Sequence, residues 1–134
     1  MIVALLHATV ILRLLLSDHE TLTPAAVELF QRAEAGEMNL VLTPLIVAEC
    51  CYVLRGPAYR LKRSAITDSL TQVVLLDGVV TEEAAVVLGA LRRFGERVVD
   101  FADAYLAERA PTNAGGRWPL STGILGLGGP GPTE

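Results

Sequence analysis

Apolar stretches separated by short polar breaks occupy most of the chain, and the first of them organises the interpretation. Residues 2–16 form an apolar run that breaks at His7-Ala8-Thr9 and then resumes. An apolar run at the start of an α/β chain is typical of a central parallel strand that is buried on both faces. Because functional sites in open α/β sheets form at the carboxyl ends of strands, we expect His7 and Thr9 to lie where chemistry takes place.

The hydrophobic pattern further along the chain predicts two helices after each of three strands. Thr23, Thr43, Thr81 and Asp100 are the predicted N-cap residues. The resulting order β-α-α-β-α-α-β-α-α is typical of an α/β sandwich around a central parallel sheet. Strands are expected before His7 and over residues 39–42 and 73–76, and helices over residues 10–16, 24–35, 45–54, 59–72, 82–94 and 101–110.

The end of the chain differs in composition from the rest. Residues 111–134 contain seven glycines and four prolines and show neither a helical nor a strand period. Such a segment has little apolar surface to bury, so we expect it to be loosely ordered. The sequence therefore predicts a folded domain over residues 1–110 and an irregular tail over residues 111–134, with no strand visible after the final helix.

Composition and charge limit the classes of protein that remain. The 134 residues suffice for one domain, and the net charge of −4 argues against binding nucleic acid by bulk charge alone. The opening run is interrupted by Arg13 and is shorter than the roughly 18 to 20 residues of a membrane span, which predicts a cytoplasmic protein without a membrane segment. The adjacent Cys50 and Cys51 cannot form a disulfide framework, so we expect two small buried hydrophobic residues.

Three carboxylates are candidates for chemistry. Glu49 is isolated in an otherwise apolar helix, so it either binds a metal or a partner group, or faces solvent. Asp100 and Asp103 are three residues apart at a helix start and share one face, although Asp100 alone is explained equally well as an N-cap. Hard carboxylates suit Mg²⁺ or Mn²⁺, and such an ion can activate water for phosphodiester hydrolysis.

Three segments together resemble one known family. They are MIVALLHATVILRLLL, LTPLIVAECCYVL and VVDFADAYLAERA, and they resemble the acid-bearing segments of PIN-domain proteins of the VapC-like toxin type. The resemblance covers about residues 1–110. It implies a PIN-like α/β/α sandwich and an endoribonuclease that depends on Mg²⁺ or Mn²⁺. It also implies an RNA substrate, a cognate antitoxin protein as partner and a homodimer, with no role for a membrane.

The resemblance assigns roles to five residues and exposes a departure at the first position. Glu49 matches the family's second acid, Asp103 its third, and Asp100 a position that is often acidic in this subgroup. His7 stands where the first acid is expected, and Thr9 where asparagine or serine is usual. An imidazole can bind a divalent metal, but it brings no negative charge, so a Mg²⁺ site here should be weak.

The tail is the second departure. The family has a last strand and a fourth acid where this chain has residues 117–126, and one choice of codons for these residues encodes a family-like ending in another frame. We hypothesise that the tail is a frameshifted version of that strand. With the first and fourth acids missing, we expect weak or absent cleavage. The alternatives are a non-catalytic module that binds an antitoxin or RNA, and a degenerate gene product that folds poorly.

Two groups of basic residues are candidates for contacts with RNA phosphates. Their members are Arg55, Arg60, Lys62 and Arg63 near one predicted helix start, and Arg92, Arg93 and Arg97 near a helix end. The alternative is a solvated face in both cases. For the second group this alternative is favoured, because basic residues at a helix C-terminus interact well with the helix dipole.

Overall fold

A computed structural model describes residues 2–17 and 19–110, and over this part of the chain the protein is an α/β structure. The observed order of elements confirms the predicted β-α-α-β-α-α-β-α-α pattern. The strands are β1 (Ile2–Leu5), β2 (Met38–Leu42) and β3 (Val79–Thr81); the helices are α1 (Ala8–Leu16), α2 (Leu22–Glu34), α3 (Pro44–Arg55), α4 (Arg63–Val74), α5 (Ala84–Glu96) and α6 (Phe101–Arg109). The predicted tail, with its missing strand and the frameshift hypothesis, lies outside the described residues.

The sheet is parallel throughout, in the strand order β1-β2-β3. The prediction that the first strand is central is therefore wrong for the described residues, where β2 takes that place. Strand β1 pairs on one side only, with β2, so its side chains receive little cover: Ile2, Val3 and Leu5 are 55%, 62% and 64% exposed. The apolar run correctly predicted a strand, but its position in the sheet depends on contacts between distant segments.

One predicted strand is absent from the described residues, and its first half belongs to a helix. Residues 73–76 were expected to be extended, but α4 continues to Val74, and the strand follows the turn at Asp77-Gly78. Ile66, Leu70, Val73 and Val74 are all buried along α4 at helical spacing. A short apolar run fits either structure, and here the preceding helical face decides. The polypeptide reverses at Gly78, which has a φ of +86°.

Helix starts agree with the prediction at Thr43 and differ at two other threonines. Thr43 accepts a hydrogen bond from the backbone N–H of Ile46 at 3.3 Å, as an N-cap residue does. At the start of α2, Nδ1 of His19 accepts from the N–H of Leu22 at 3.0 Å, whereas Thr23 donates to the carbonyl of Arg13. Thr81 ends β3, and α5 begins only after Glu83.

The core is formed by side chains from the sheet and from the inner faces of the helices. Its largest fully buried members include Ile11, Leu40, Leu54, Ile66 and Leu91. Cys50 and Cys51 are free and buried on α3, which confirms that they behave as small core residues. Within the described ranges, none of the helices has both the length and the apolar character that a membrane crossing requires.

Candidate functional site

His7 and Thr9 lie at the carboxyl end of β1, as the pattern predicted. His7 is the N-cap residue of α1, and its backbone carbonyl accepts from the N–H groups of Val10 at 3.1 Å and Ile11 at 3.4 Å. Its imidazole makes no capping hydrogen bond, and both the His7 and the Thr9 side chains are exposed. His7, at the position where the resemblance places the first acid, is therefore exposed to solvent, and its backbone is fixed by the hydrogen bonds at the start of α1.

Glu49 is exposed on α3, so its carboxylate faces solvent, as one of the two predicted alternatives stated. The neighbouring Ala48 is half-buried and Cys50 is fully buried. The helix therefore carries Glu49 on its outer surface. The described residues include no buried polar or charged side chain at all, so no desolvated carboxylate demands a partner here.

Asp100 and Asp103 mark the start of α6, and both carboxylates are exposed. Asp100 occupies the N-cap position that the alternative explanation gave it, and its backbone carbonyl accepts from the N–H of Ala104 at 3.0 Å. Its side chain, however, makes no capping hydrogen bond. The carboxylate therefore remains available at the surface, where Asp103 lies in the first turn of the same helix.

These residues do not fit a metal site as they stand. Across residues 2–17 and 19–110, no group of three or more histidine, cysteine, aspartate or glutamate side chains is arranged to hold a metal ion. Mg²⁺ and Mn²⁺ need several oxygen ligands at short distances, and one or two separated surface carboxylates give weak binding.

A groove runs between α3 and α6, and among these carboxylates Asp100 lines it, whereas Glu49 and Asp103 do not. Its polar end has a volume of about 500 Å³ and carries Tyr52, Arg55 and Asp100 along its rim. Its apolar end has a volume of about 320 Å³ and is lined chiefly by apolar side chains, with Leu45 and Leu106 on opposite helices. Both ends share Ala48, Phe101 and Ala102, so they form one continuous surface, which we call the α3–α6 groove.

Arg63 fixes the wall at the polar end of this groove. Its Nη1 donates to the backbone carbonyls of Phe94, Arg97 and Val99 at 3.1, 2.9 and 2.7 Å. Its guanidinium carbon lies 4.6 Å from the centre of the Phe94 ring. One side chain thus ties the start of α4 to the end of α5 and to the segment before Asp100, which fixes the chain that leads into the α6 side of the groove.

Helix α6 is tied to the start of α5 by a cluster of three side chains. The Tyr105 hydroxyl donates to the Glu83 carboxylate, and Nε of Arg109 lies 3.5 Å from the same carboxylate. The hydrogen bond to Glu83 raises the pKa of Tyr105, because removing the proton would break this bond and place two negative charges together. Tyr105 also lines the apolar end of the groove, and its hydroxyl is bonded to Glu83 there.

The basic residues separate into structural and surface groups. Arg63 is a structural tie, and Arg93 pairs with Glu108 on α6, so neither is a free contact for phosphate. Arg55 is exposed on the rim of the groove. Sequence reasoning did not single out Tyr52, which is 82% exposed beside it. The spacing of four and three residues between Ala48, Tyr52 and Arg55 was the available signal, because it places them on one side of a helix.

The comparisons with known proteins add no relative. No family model matches the chain, and neither a curated protein nor a solved structure matches it. The resemblance to PIN-domain proteins therefore rests on the three sequence segments alone.

Proposed function

We propose that this protein is a PIN-like RNA-binding module, related to the VapC-type ribonucleases, in which cleavage is weak or lost. The resemblance of three segments supports the PIN-like α/β/α sandwich, and the order of elements is compatible with it. In this proposal Glu49, Asp103 and Asp100 are the remaining acids of the ancestral site, and His7 and Thr9 occupy the position of the missing one. RNA is bound in the α3–α6 groove.

One contrast carries the proposal. The histidine and carboxylate side chains of the described residues form no three-ligand group for a metal ion. The groove beside them nevertheless offers an exposed aromatic ring, an exposed guanidinium and an apolar floor. Stacking and phosphate contacts of this kind bind single-stranded nucleic acid without any metal. The residues thus favour binding over hydrolysis.

The test is an RNA cleavage and binding assay on the full chain with Mn²⁺. We expect the chain to bind RNA. We expect its cleavage rate to be no higher than that of the Asp103→Asn variant, in which one of the remaining acids is removed. We expect His7→Asp to increase cleavage, because it restores a carboxylate at the first position. Cleavage by the unmodified chain that Asp103→Asn abolishes would show an intact nuclease, and a chain that binds no RNA would contradict the proposal as well.

A second candidate function is assembly through β1, favoured by the exposure of this strand. Its four residues are uncharged, and its outer edge meets no further strand among the described residues. Such an edge is a template for strand pairing unless a charge or proline protects it. We propose that two copies pair along β1. Sedimentation should then show a dimer that Val3→Lys converts to a monomer, and a dimer unaffected by Val3→Lys would exclude this edge.

A further inference from the structure

We infer that the polar end of the α3–α6 groove is a subsite for one unpaired nucleotide of single-stranded RNA, with its base on the Tyr52 ring and its phosphate on the Arg55 guanidinium. This inference rests on the proposed function, because it specifies where RNA is bound and in which form. Stacking is assigned to Tyr52 and phosphate binding to Arg55, two residues that have no role when only the carboxylates are considered.

Tyr52 has the setting of a stacking platform. It is 82% exposed on α3, although the side chains on the inner face of the same helix, among them Val47 and Cys50, are fully buried. A tyrosine offers a large flat surface with few rotatable bonds, so little freedom is lost when a base stacks on it. Bases that are paired in a duplex have both faces covered, so a ring of this kind favours an unpaired base.

Arg55 supplies the charge. It lies one helical turn beyond Tyr52 on the same rim, and its Nη1 makes a long contact of 3.5 Å to the backbone carbonyl of Leu61. That contact fixes the direction of the side chain and occupies one of its five donors. Arg63 differs in this respect, because its Nη1 is shared among three backbone carbonyls. The phosphate is therefore assigned to Arg55.

The shape of the groove limits what enters it. The polar end has a volume of about 500 Å³, within the range of small-molecule sites, and small residues such as Ala48, Gly56 and Ala102 leave room on its surface. Asp100 at the start of α6 repels an anion, which places the phosphate on the α3 side, at Arg55, next to the base on Tyr52. A single nucleotide satisfies these conditions, whereas a rigid duplex backbone does not enter a groove of this size.

The experiment is a fluorescence anisotropy titration of the full chain into a labelled single-stranded RNA of about ten nucleotides, in EDTA so that no cleavage occurs. Tyr52→Phe keeps the ring and should bind within about twofold of the unmodified chain. Tyr52→Leu loses the ring and should bind about 5- to 100-fold more weakly. Arg55→Gln should weaken binding and lower the salt dependence by about one counterion.

Arg32→Gln is the matched control, since it removes an exposed arginine on α2 that does not line the groove. It should bind RNA like the unmodified chain, and circular dichroism confirms that each variant is folded. The inference is overturned if Tyr52→Leu binds normally, if Arg32→Gln weakens binding as much as Arg55→Gln does, or if duplex RNA of the same sequence binds as tightly as the single strand.

The two proposals fail in different ways in this experiment. An unmodified chain that binds no RNA contradicts the proposed function. A chain that binds RNA equally well with and without the Tyr52 ring leaves the proposed function standing and removes the subsite. A chain that cleaves RNA with Mn²⁺ but needs Tyr52 for binding contradicts the loss of cleavage and supports the subsite.

Discussion

The helices α4, α5 and α6 on one side of the molecule and the strand β1 on the other differ in how firmly they are held. On the helical side, Arg63 ties three backbone carbonyls together and the Thr67 hydroxyl donates to the carbonyl of Leu91 at 2.7 Å. The Arg93–Glu108 pair joins α5 to α6. Strand β1, in contrast, pairs among the described residues with β2 alone, and Val3 and Leu5 are more than half exposed.

This difference bears directly on function, because the candidate residues are divided between the two regions. His7 and Thr9 follow the exposed strand, Asp100 and Asp103 lie at the start of α6 on the firmly packed side, and Tyr52 and Arg55 lie on α3. Cleavage by a metal ion would need the end of β1 and the start of α6 to contribute ligands to one point. RNA binding, as proposed, needs only the groove between α3 and α6. The proposal therefore expects that a change at β1 affects cleavage more than it affects binding.

The largest loss of stability is expected where two backbone segments meet at Gly78. A Cβ at this position would lie 2.4 Å from the carbonyl oxygen of Ala33, and φ is +86°. Gly78→Ala should therefore lower the free energy of unfolding by more than about 3 kcal/mol. Gly36→Ala is the matched control, because φ is +83° but nothing lies within 4 Å, and it should cost only about 1 kcal/mol. Equal losses in urea titrations would contradict the predicted clash.

Arg63→Gln should give the next largest loss. The change removes charged hydrogen bonds to three backbone carbonyls, together with the contact over the Phe94 ring, and should cost about 2 to 3 kcal/mol. Arg92→Gln removes the same charge from an exposed position and should change stability by less than about 0.5 kcal/mol. Similar midpoints for the two variants in chemical denaturation would mean that Arg63 does not tie the helices.

A pair of identical substitutions compares the two regions directly. Val87 on α5 is fully buried, and Val87→Ala should cost about 2 kcal/mol through lost burial and an unfilled cavity. Val3 on β1 is 62% exposed, and Val3→Ala should cost only about 0.5 kcal/mol. The midpoint of thermal unfolding measures both. Comparable losses would show that β1 is covered in solution, as pairing with a second copy would require.

The smallest effect near neutral pH concerns the cysteines of α3. Burial, with a lesser contribution from the charge of Glu49, raises the pKa of Cys50 from its ordinary value of 9.0 to about 12, and burial also raises the pKa of Cys51. At about pH 8 a thiol reagent should therefore react only after unfolding. Rapid labelling of the folded chain would contradict this expectation.

The same pKa shift has a defined sign for stability. In the unfolded chain the thiols ionise near pH 9, whereas in the folded chain Cys50 holds its proton to about pH 12. The contribution to the free energy of unfolding is therefore complete below pH 9 and is lost as the pH rises from 9 to 12. Replacement of Cys50 by alanine should flatten this part of the pH profile.

Much of the fold follows from local patterns. Thr43-Pro44 and the apolar spacing that follows it predict α3, and Asp77-Gly78 predict a turn that the structure contains, although β3 follows this turn and was expected to precede it. The order of strands in the sheet does not follow, because it depends on which distant segments pair. An apolar run such as residues 2–6 has the composition of a buried central strand. Among the described residues, however, the strand formed by this run lies at an edge of the sheet.

The candidate site was predictable only in part, for a related reason. Glu49, Asp100 and Asp103 can be identified in the sequence. His7 can be identified as well, at the position where the resemblance to PIN-domain proteins leads us to expect a carboxylate. Whether these side chains converge depends on tertiary packing. Tyr52 was missed because an aromatic residue in an apolar helix has the pattern of a core residue, and only the packing of α3 shows that it faces outward.

The most informative single measurement is a calorimetric titration of the full chain with Mn²⁺. We expect no saturable one-to-one binding by the unmodified chain, because the histidine, cysteine and carboxylate side chains of residues 2–17 and 19–110 form no group of three that could hold a metal ion. We expect His7→Asp to strengthen Mn²⁺ binding, by about tenfold for each 1.4 kcal/mol that the added carboxylate contributes. Saturable one-to-one binding by the unmodified chain that is lost in both Glu49→Gln and Asp103→Asn would contradict the proposed loss of a metal site.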